Sequence, residues 1–380
     1  MLARLGKAVA VGAVLLGLAA CDLGPKQITQ SGFRGTGMAQ IQDKDLVAYL
    51  KDNNAIPPPP YEVASTDGEK ASAFYENVQV LGDLSTDEFN RLMISITEWV
   101  VPKSYVEKEG NGCNYCHNPE NMASDEVYQK VVARKMFQMT RTINTGWTDH
   151  VKETGVTCWT CHRGQAVPAN VWSLGVTQER VGFIGSQMGQ NKPVPAVGWT
   201  TSPTDPFSAY LGSTDPVSIR VIGDQSLRPV EEGRSIRATE KTLGLMQHMS
   251  VGLGVNCAQC HNTRSFASWE TSSVQRVSAW HGLRMVPALN KTYMDPLQPV
   301  FAPHAGRVGP AGDVLKINCA TCHQGAAKPM LGVSMRADYP ELWRTSLATP
   351  AATTLSLPGG ASLSVPAGSI GEQLFKFLQS

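Results

Sequence analysis

Aromatic residues are scarce in this chain, at 7% of 380 positions, and the formal charge is only +1. With no basic excess, nothing in the composition asks for nucleic acid or an anionic membrane surface. After the first 25 residues no apolar run approaches the ~18 residues of a membrane-spanning helix. Hydrophobic residues nevertheless make up 42%, a globular proportion, beside 35 Gly and 24 Pro. Few stretches alternate apolar and polar as strands do, so the expected class is mainly α with extensive coil. A core this poor in rings needs apolar material from outside the sequence.

The start, "MLARLGKAVAVGAVLLGLAACDLGP", has a basic beginning, an apolar stretch from Ala8 to Ala20 and a small-residue end. It reads as a secretory signal over residues 1–20 rather than a span. Removing its Arg4 and Lys7 brings the charge to −1. "LAAC" is a lipoprotein cleavage box, making Cys21 the expected lipid anchor on the periplasmic face of the inner membrane. A plain cut near Ala20 would instead leave Cys21 as an unpaired exported thiol.

Of nine cysteines, the eight besides Cys21 fall as "CNYCH" (113–117), "CWTCH" (158–162), "CAQCH" (257–261) and "CATCH" (319–323). Eight exported cysteines first suggest disulfides, yet every pair is C-x-x-C followed at once by His. This is covalent haem attachment: two thiols form thioethers with the porphyrin edge and the adjacent imidazole binds iron. Structural zinc would not require His at the fifth place each time, nor would a thioredoxin-like redox pair. The cofactor-binding residues are therefore Cys113, Cys116, Cys158, Cys161, Cys257, Cys260, Cys319 and Cys322. His117, His162, His261 and His323 are the iron-binding histidines. Four haems would supply the missing apolar core.

The sixth ligand decides between an enzyme and a wire, because an empty position admits substrate whereas Met or His closes it. Ser85 and Glu88 form a capping box that opens a helix with Phe89, Met93, Ile96 and Val100 on one stripe. Met93 precedes Cys113 by 20 residues. Met136 and Met139 share a helical face before the second motif. Met246, His248 and Met249 crowd the approach to the third.

A repeat bears on the choice. "CNYCHN" and "CAQCHN" begin two halves, and "CWTCHRG" and "CATCHQG" end them. "MFQMTRTIN" (136–144) aligns with "GLRMVPALN" (282–290), so Met139 matches Met285, Asn144 matches Asn290, and Met136 faces Gly282. If Met136 serves the second haem, the fourth must recruit another ligand. His150 lies 14 residues after Met136, about 21 Å along an unbroken helix, which suits a different haem. His281 and His304 compete with it.

These residues resemble a family, the tetrahaem cytochrome subunit of purple bacterial photosynthetic reaction centres. The likeness runs from about Leu84 to Leu342, on the four motifs and on "WVVPK", "VVARKMFQMTRTINTGWTDHV", "GVTCWTCHRG", "FASWE", "LRMV", "KPMLG" and "DYPELW". It implies three His/Met irons and one bis-histidine iron. Carried over by position, Met93 pairs with His117, Met136 with His162, Met246 with His261, and His150 with His323. It also implies a near-linear array with the His261 haem nearest the bacteriochlorophyll special pair. The expected partners are the core subunits L, M and H, with a soluble periplasmic cytochrome c or high-potential iron-sulfur protein as donor. The segment "SYVEKEGNG" before Cys113 is longer than the likeness leads one to expect.

The expected organisation is an arm (21–83), a first two-haem unit (84–168), a connector (169–234), a second two-haem unit (235–335) and a tail (336–380). Electron transfer rather than enzymatic turnover follows if every iron is closed. A multihaem reductase would need an open iron, and a general periplasmic carrier would share the wiring without the photosynthetic partner. Glu107, Glu109, Glu120, Asp125 and Glu126, around the first motif, form an acidic surface suited to a basic donor.

Overall fold

The computed structural model describes residues 24–30, 39–174, 193–212, 218–221, 236–345, 352–356 and 362–366. The signal, Cys21, most of the connector and most of the tail lie outside them. The described chain is mainly helical with extensive coil, as composition implied. Its strands form two antiparallel hairpins, β1 (Lys26–Gln30) with β2 (Ala39–Asp43), and β3 (Ala352–Ser356) with β4 (Ser362–Pro366).

Helix α1 (Lys44–Asn53) starts where the Asp43 carboxylate accepts from the Asp45 N–H. Helix α2 (Thr86–Val100) opens on the expected capping box: Ser85 Oγ accepts from the Glu88 N–H at 3.1 Å, and Glu88 accepts from the Ser85 N–H at 2.9 Å. Two orphan donors are thereby satisfied. Helix α3 (Lys103–Glu109) follows and ends at Gly110.

Helix α4 (Tyr128–Gly146) buries Phe137, Thr140, Arg141 and Asn144 on one stripe. Its polar members are paired. Arg141 is fully buried, with both terminal nitrogens on Asp83 at 2.9 and 3.0 Å. The helix is not continuous to His150: Trp147 leaves helical geometry (φ −118°, ψ 33°) and a single turn, α5 (Thr148–Val151), carries the histidine. The 21 Å expectation for an unbroken helix therefore does not apply.

Helices α6 (Cys158–His162) and α9 (Cys319–His323) are the second and fourth motifs themselves. Between them lie α7 (Ile236–Leu253) and α8 (Gln275–Leu289), the latter running into a π-helical segment over Asn290–Met294.

Two apolar clusters organise these elements. One joins Leu84, Leu92, Trp99 and Phe137 to Met330, Met335, Tyr339 and Leu342, so the chain after the fourth motif returns to pack on α2 and α4. The other joins Trp147, Trp172, Phe207, Leu211 and Leu245 to Met285, Leu289 and Ile317. The second cluster borders a central cavity through Ile143, Met285, Val286, Leu289 and Ile317, as does a third apolar group around Phe301.

Candidate functional site

The four motifs fold in two ways. Those at 113 and 257 form 3₁₀ turns, each opened by an asparagine: Asn111 accepts from the Cys113 N–H at 2.9 Å, and Asn256 accepts from the Ala258 N–H at 3.1 Å. Those at 158 and 319 are α-helical turns in which a threonine hydroxyl caps the start. The Thr157 N–H donates to Thr160 Oγ1 at 2.9 Å, and the Asn318 N–H donates to Thr321 Oγ1 at 3.0 Å. Both helical motifs end on a left-handed residue, Arg163 or Gln324. Each is then pinned to a long helix: the Gly164 N–H donates to Trp99 O and the Gly325 N–H to Gly252 O, both at 2.8 Å.

Asparagines 144 and 290 hold the same place before these two motifs. Asn144 accepts from the Val156 N–H at 2.7 Å and donates to Val156 O and Leu342 O. Asn290 accepts from the Ile317 N–H at 2.9 Å and donates to Ile317 O and Leu211 O. Each side chain fixes the residue two positions before a motif's first cysteine.

Every motif histidine is oriented by its own loop. Nδ1 meets the carbonyl five residues on in the 3₁₀ motifs, His117 to Met122 at 3.0 Å and His261 to Phe266 at 2.9 Å. It meets the carbonyl three residues on in the helical motifs, His162 to Gln165 at 2.8 Å and His323 to Ala326 at 2.9 Å. A ring nitrogen facing a carbonyl is the donor, which leaves Nε2 available to bind a metal. Burial holds His162 and His261 below the usual histidine range and, with His150 beside it, brings His323 to about 4. Burial thus favours the neutral form of these three rings, the form that binds metal. Burial also pushes the Cys158 and Cys319 thiols up to about 12 and Cys116 up to about 11.

The central cavity measures about 360 Å³ and is lined chiefly by apolar side chains, among them Met136, Ile143, Leu283 and Val286. It also receives Cys161 and His162 from the second motif and Cys319, Cys322 and His323 from the fourth. The Cys161 and Cys322 sulfurs approach to 2.6 Å, so the two motifs meet at their thiols. Lys152 and Lys328 line both this cavity and an adjoining polar groove, which puts cations at its mouth.

His150 enters from α5. Its Nδ1 meets Ser278 O at 2.8 Å, and its ring lies 6.1 Å from that of His323, centroid to centroid, at 65°. Two imidazoles that share one metal axially, with bonds of about 2 Å, need a separation of about 6 Å. The space that admits His150 is Gly282: a Cβ there would fall 2.6 Å from His150 Cε1. An apolar cavity lined by paired thiols and facing imidazoles fits a haem.

The methionines are placed less uniformly. Met93 lies one helical turn before Thr97, whose Cγ2 would be 2.4 Å from a Cβ on Gly112, so this face of α2 meets the first motif. Met136 lines the cavity beside His162. Thr97 and Thr140 each donate a hydroxyl back to the methionine four residues earlier, at 2.9 Å. That hydroxyl spacing recurs as Ser250 after Met246 and was readable in the sequence. Near the third motif, Met249 lines the central cavity and Met246 packs on the Leu245 cluster. His248 turns to Ala196 O at 3.2 Å and lies edge-on to Phe207. His281 sits 4.0 Å from Asp149, and His304 stacks on Tyr128 at 3.7 Å. Of the acids near the first motif, Asp125 is paired with Arg134 at 2.8 Å and Glu126 with Asn118, while Glu109 pairs with Lys108 at 2.8 Å.

A family model described as "Photosynthetic reaction centre cytochrome C subunit" matches residues 23–343. The photosynthetic reaction center cytochrome c subunit of Rubrivivax gelatinosus is 46% identical over 346 residues, 90% of each chain. That of Thermochromatium tepidum is 40% identical over 344 residues, covering 90% of this chain and 81% of its own. That of Roseobacter denitrificans is 38% identical over 333 residues, 83% of this chain and 85% of its own.

Proposed function

This chain belongs to the photosynthetic reaction centre cytochrome c subunit family, and from that premise we propose that it carries four c-type haems and delivers electrons to the reaction centre. The route runs from a soluble periplasmic cytochrome c or high-potential iron-sulfur protein to the photo-oxidised bacteriochlorophyll pair held by the core subunits. The bound haems supply one-electron chemistry at iron, at potentials set by the axial ligands.

The chain's own residues do the holding. Cys113 and Cys116, Cys158 and Cys161, Cys257 and Cys260, and Cys319 and Cys322 take the thioether bonds. His117, His162, His261 and His323 present Nε2 because their Nδ1 atoms are tied to backbone. In that order, Met93, Met136, Met246 and His150 would supply the second ligand to each iron. Lys152 and Lys328, which line both the cavity and the polar groove, would meet haem carboxylates there.

One observation carries the reading: His150 fills the space left by Gly282 and faces His323. A position closed by two imidazoles would have no side open to a substrate, so the fourth haem fits a wire. The matched hydrogen bonds of Asn144 and Asn290, and of the paired motifs, support two two-haem units over residues 84–168 and 235–335. The exposure of Cys113 and Cys257 against the burial of Cys158 supports the first and third haems as the ends of the array. Removal of residues 1–20 and acylation of Cys21 would tether the protein to the periplasmic face. No described helix is long and apolar enough to cross a membrane.

Flash spectroscopy on photosynthetic membranes containing the chain tests the proposal. Haem bands should show oxidation as the oxidised pair is re-reduced. Re-reduction with no haem oxidation would overturn it, and a carbon monoxide shift in the reduced protein would reveal an open iron and favour a reductase.

A further inference from the structure

Resting on the haem reading above, we infer that Lys130 is a positioning residue for the first haem: by sharing the carbonyl that holds His117, it raises that haem's reduction potential. Lys130 is the third residue of α4 and its side chain is 11% exposed. Its ammonium donates to three consecutive carbonyls of the loop after the first motif, Met122 at 2.8 Å, Ala123 at 2.7 Å and Ser124 at 2.9 Å. Helix polarity does not explain the placement, since a cation in the first turn has the disfavoured sign. Nor is it one half of a simple ion pair. Asp125 lies 3.4 Å away, but Arg134 engages both of its oxygens at 2.8 Å.

Met122 O is the atom that orients His117, accepting from Nδ1 at 3.0 Å. A carbonyl oxygen has two lone pairs and accommodates both donors. The ammonium draws electron density from that oxygen, so the Nδ1–H bond weakens and the imidazole becomes a poorer electron donor through Nε2. A strong partner at the far nitrogen raises ligand basicity, and an electron-rich ligand favours oxidised iron. Weakening that partner therefore favours the reduced state. The positive charge itself acts in the same direction.

The third motif offers an internal contrast. At the offset that aligns Met136 with Gly282, Lys130 corresponds to Arg276, which donates to Ser268 O at 2.6 Å and Ser272 Oγ at 2.7 Å. The acceptor of His261 is Phe266 O, two residues earlier. The cation therefore reaches the histidine's own acceptor at the first motif and a different carbonyl at the third.

The test is redox titration of the full haem-loaded protein with Lys130→Gln and Lys130→Arg. The first haem's absorption is identified by its loss when Cys113 and Cys116 are both changed to Ser. Gln keeps a hydrogen-bond donor but removes the charge, and should lower the first haem's midpoint by roughly a tenfold change in its reduction equilibrium, ~59 mV for one electron. The other three midpoints should stay in place, and Arg should hold the first near its native value. An unchanged or raised midpoint in the Gln variant, a common shift of all four haems, or an equal loss with Arg would overturn the inference. Unmodified Cys113 and Cys116 in the wild-type mass spectrum would instead overturn the haem reading at this motif, and this inference with it.

Discussion

Gly282 and His150 share one space, and neither residue explains the site alone. The alignment of Gly282 with Met136 was legible in the sequence, and from it the expectation of a replacement ligand. That the missing side chain is what admits the imidazole was not, because it depends on α5 approaching α8. Gly282→Ala should therefore disturb the fourth haem although Gly282 binds nothing. Its Cβ would lie 2.6 Å from His150 Cε1, and the bis-histidine spectral signature should weaken or vanish. His150→Met should keep that haem closed and raise its midpoint, by at least tenfold in the reduction equilibrium, ~59 mV. An unchanged potential in a redox titration would remove His150 from the iron. Lys130 was unreadable at this scale because its partners are backbone carbonyls, which carry no residue code.

Local chemistry makes some elements predictable. Ser85 and Glu88 announced α2, and the structure closes both halves of that capping box. The break at Trp147 had only Gly146 to suggest it, and the hairpin of β3 and β4 was hidden in a Pro- and Gly-rich region. Asn144 and Asn290 aligned in sequence, but their task appears only in three dimensions, where each amide ties a helix to the strand-like residues entering a motif. Replacing either by Leu leaves buried backbone groups unpaired, at roughly 1–3 kcal/mol for each orphaned group. A lowered thermal midpoint for both variants is the expected reading, and native midpoints would show that the clamp is dispensable. The segment over Pro340–Trp343 carries a pH effect. Burial raises the Glu341 carboxyl from the ordinary 4.5 to about 7, so between those values the folded chain holds a proton that the unfolded chain releases. Glu341's contribution to stability is present below about 4.5 and is lost as pH rises through about 7. Unfolding measured across that range should show the slope, and Glu341→Gln should flatten it.

Over the whole molecule, thin aromatic content, an apolar cavity and four C-x-x-C-H motifs have one proposed physical account: bound haems would complete the core. The motifs, their histidines and the mainly helical class could be read directly, because covalent attachment requires fixed spacing. Placement could not, since the second and fourth motifs are 161 residues apart in sequence (Cys161 to Cys322) yet their sulfurs approach to 2.6 Å. Nor did any periodicity indicate that the segment after residue 330 packs on α2 and α4 through Met335, Tyr339 and Leu342. The central claim is that side chains of this one chain close every iron, three with methionine and one with histidine. Low-temperature spin-resonance spectra of the fully oxidised protein test it most directly. They should show low-spin haem in a three-to-one ratio of His/Met to bis-histidine sites, with no high-spin iron. A high-spin signal, or four His/Met sites, would contradict the account.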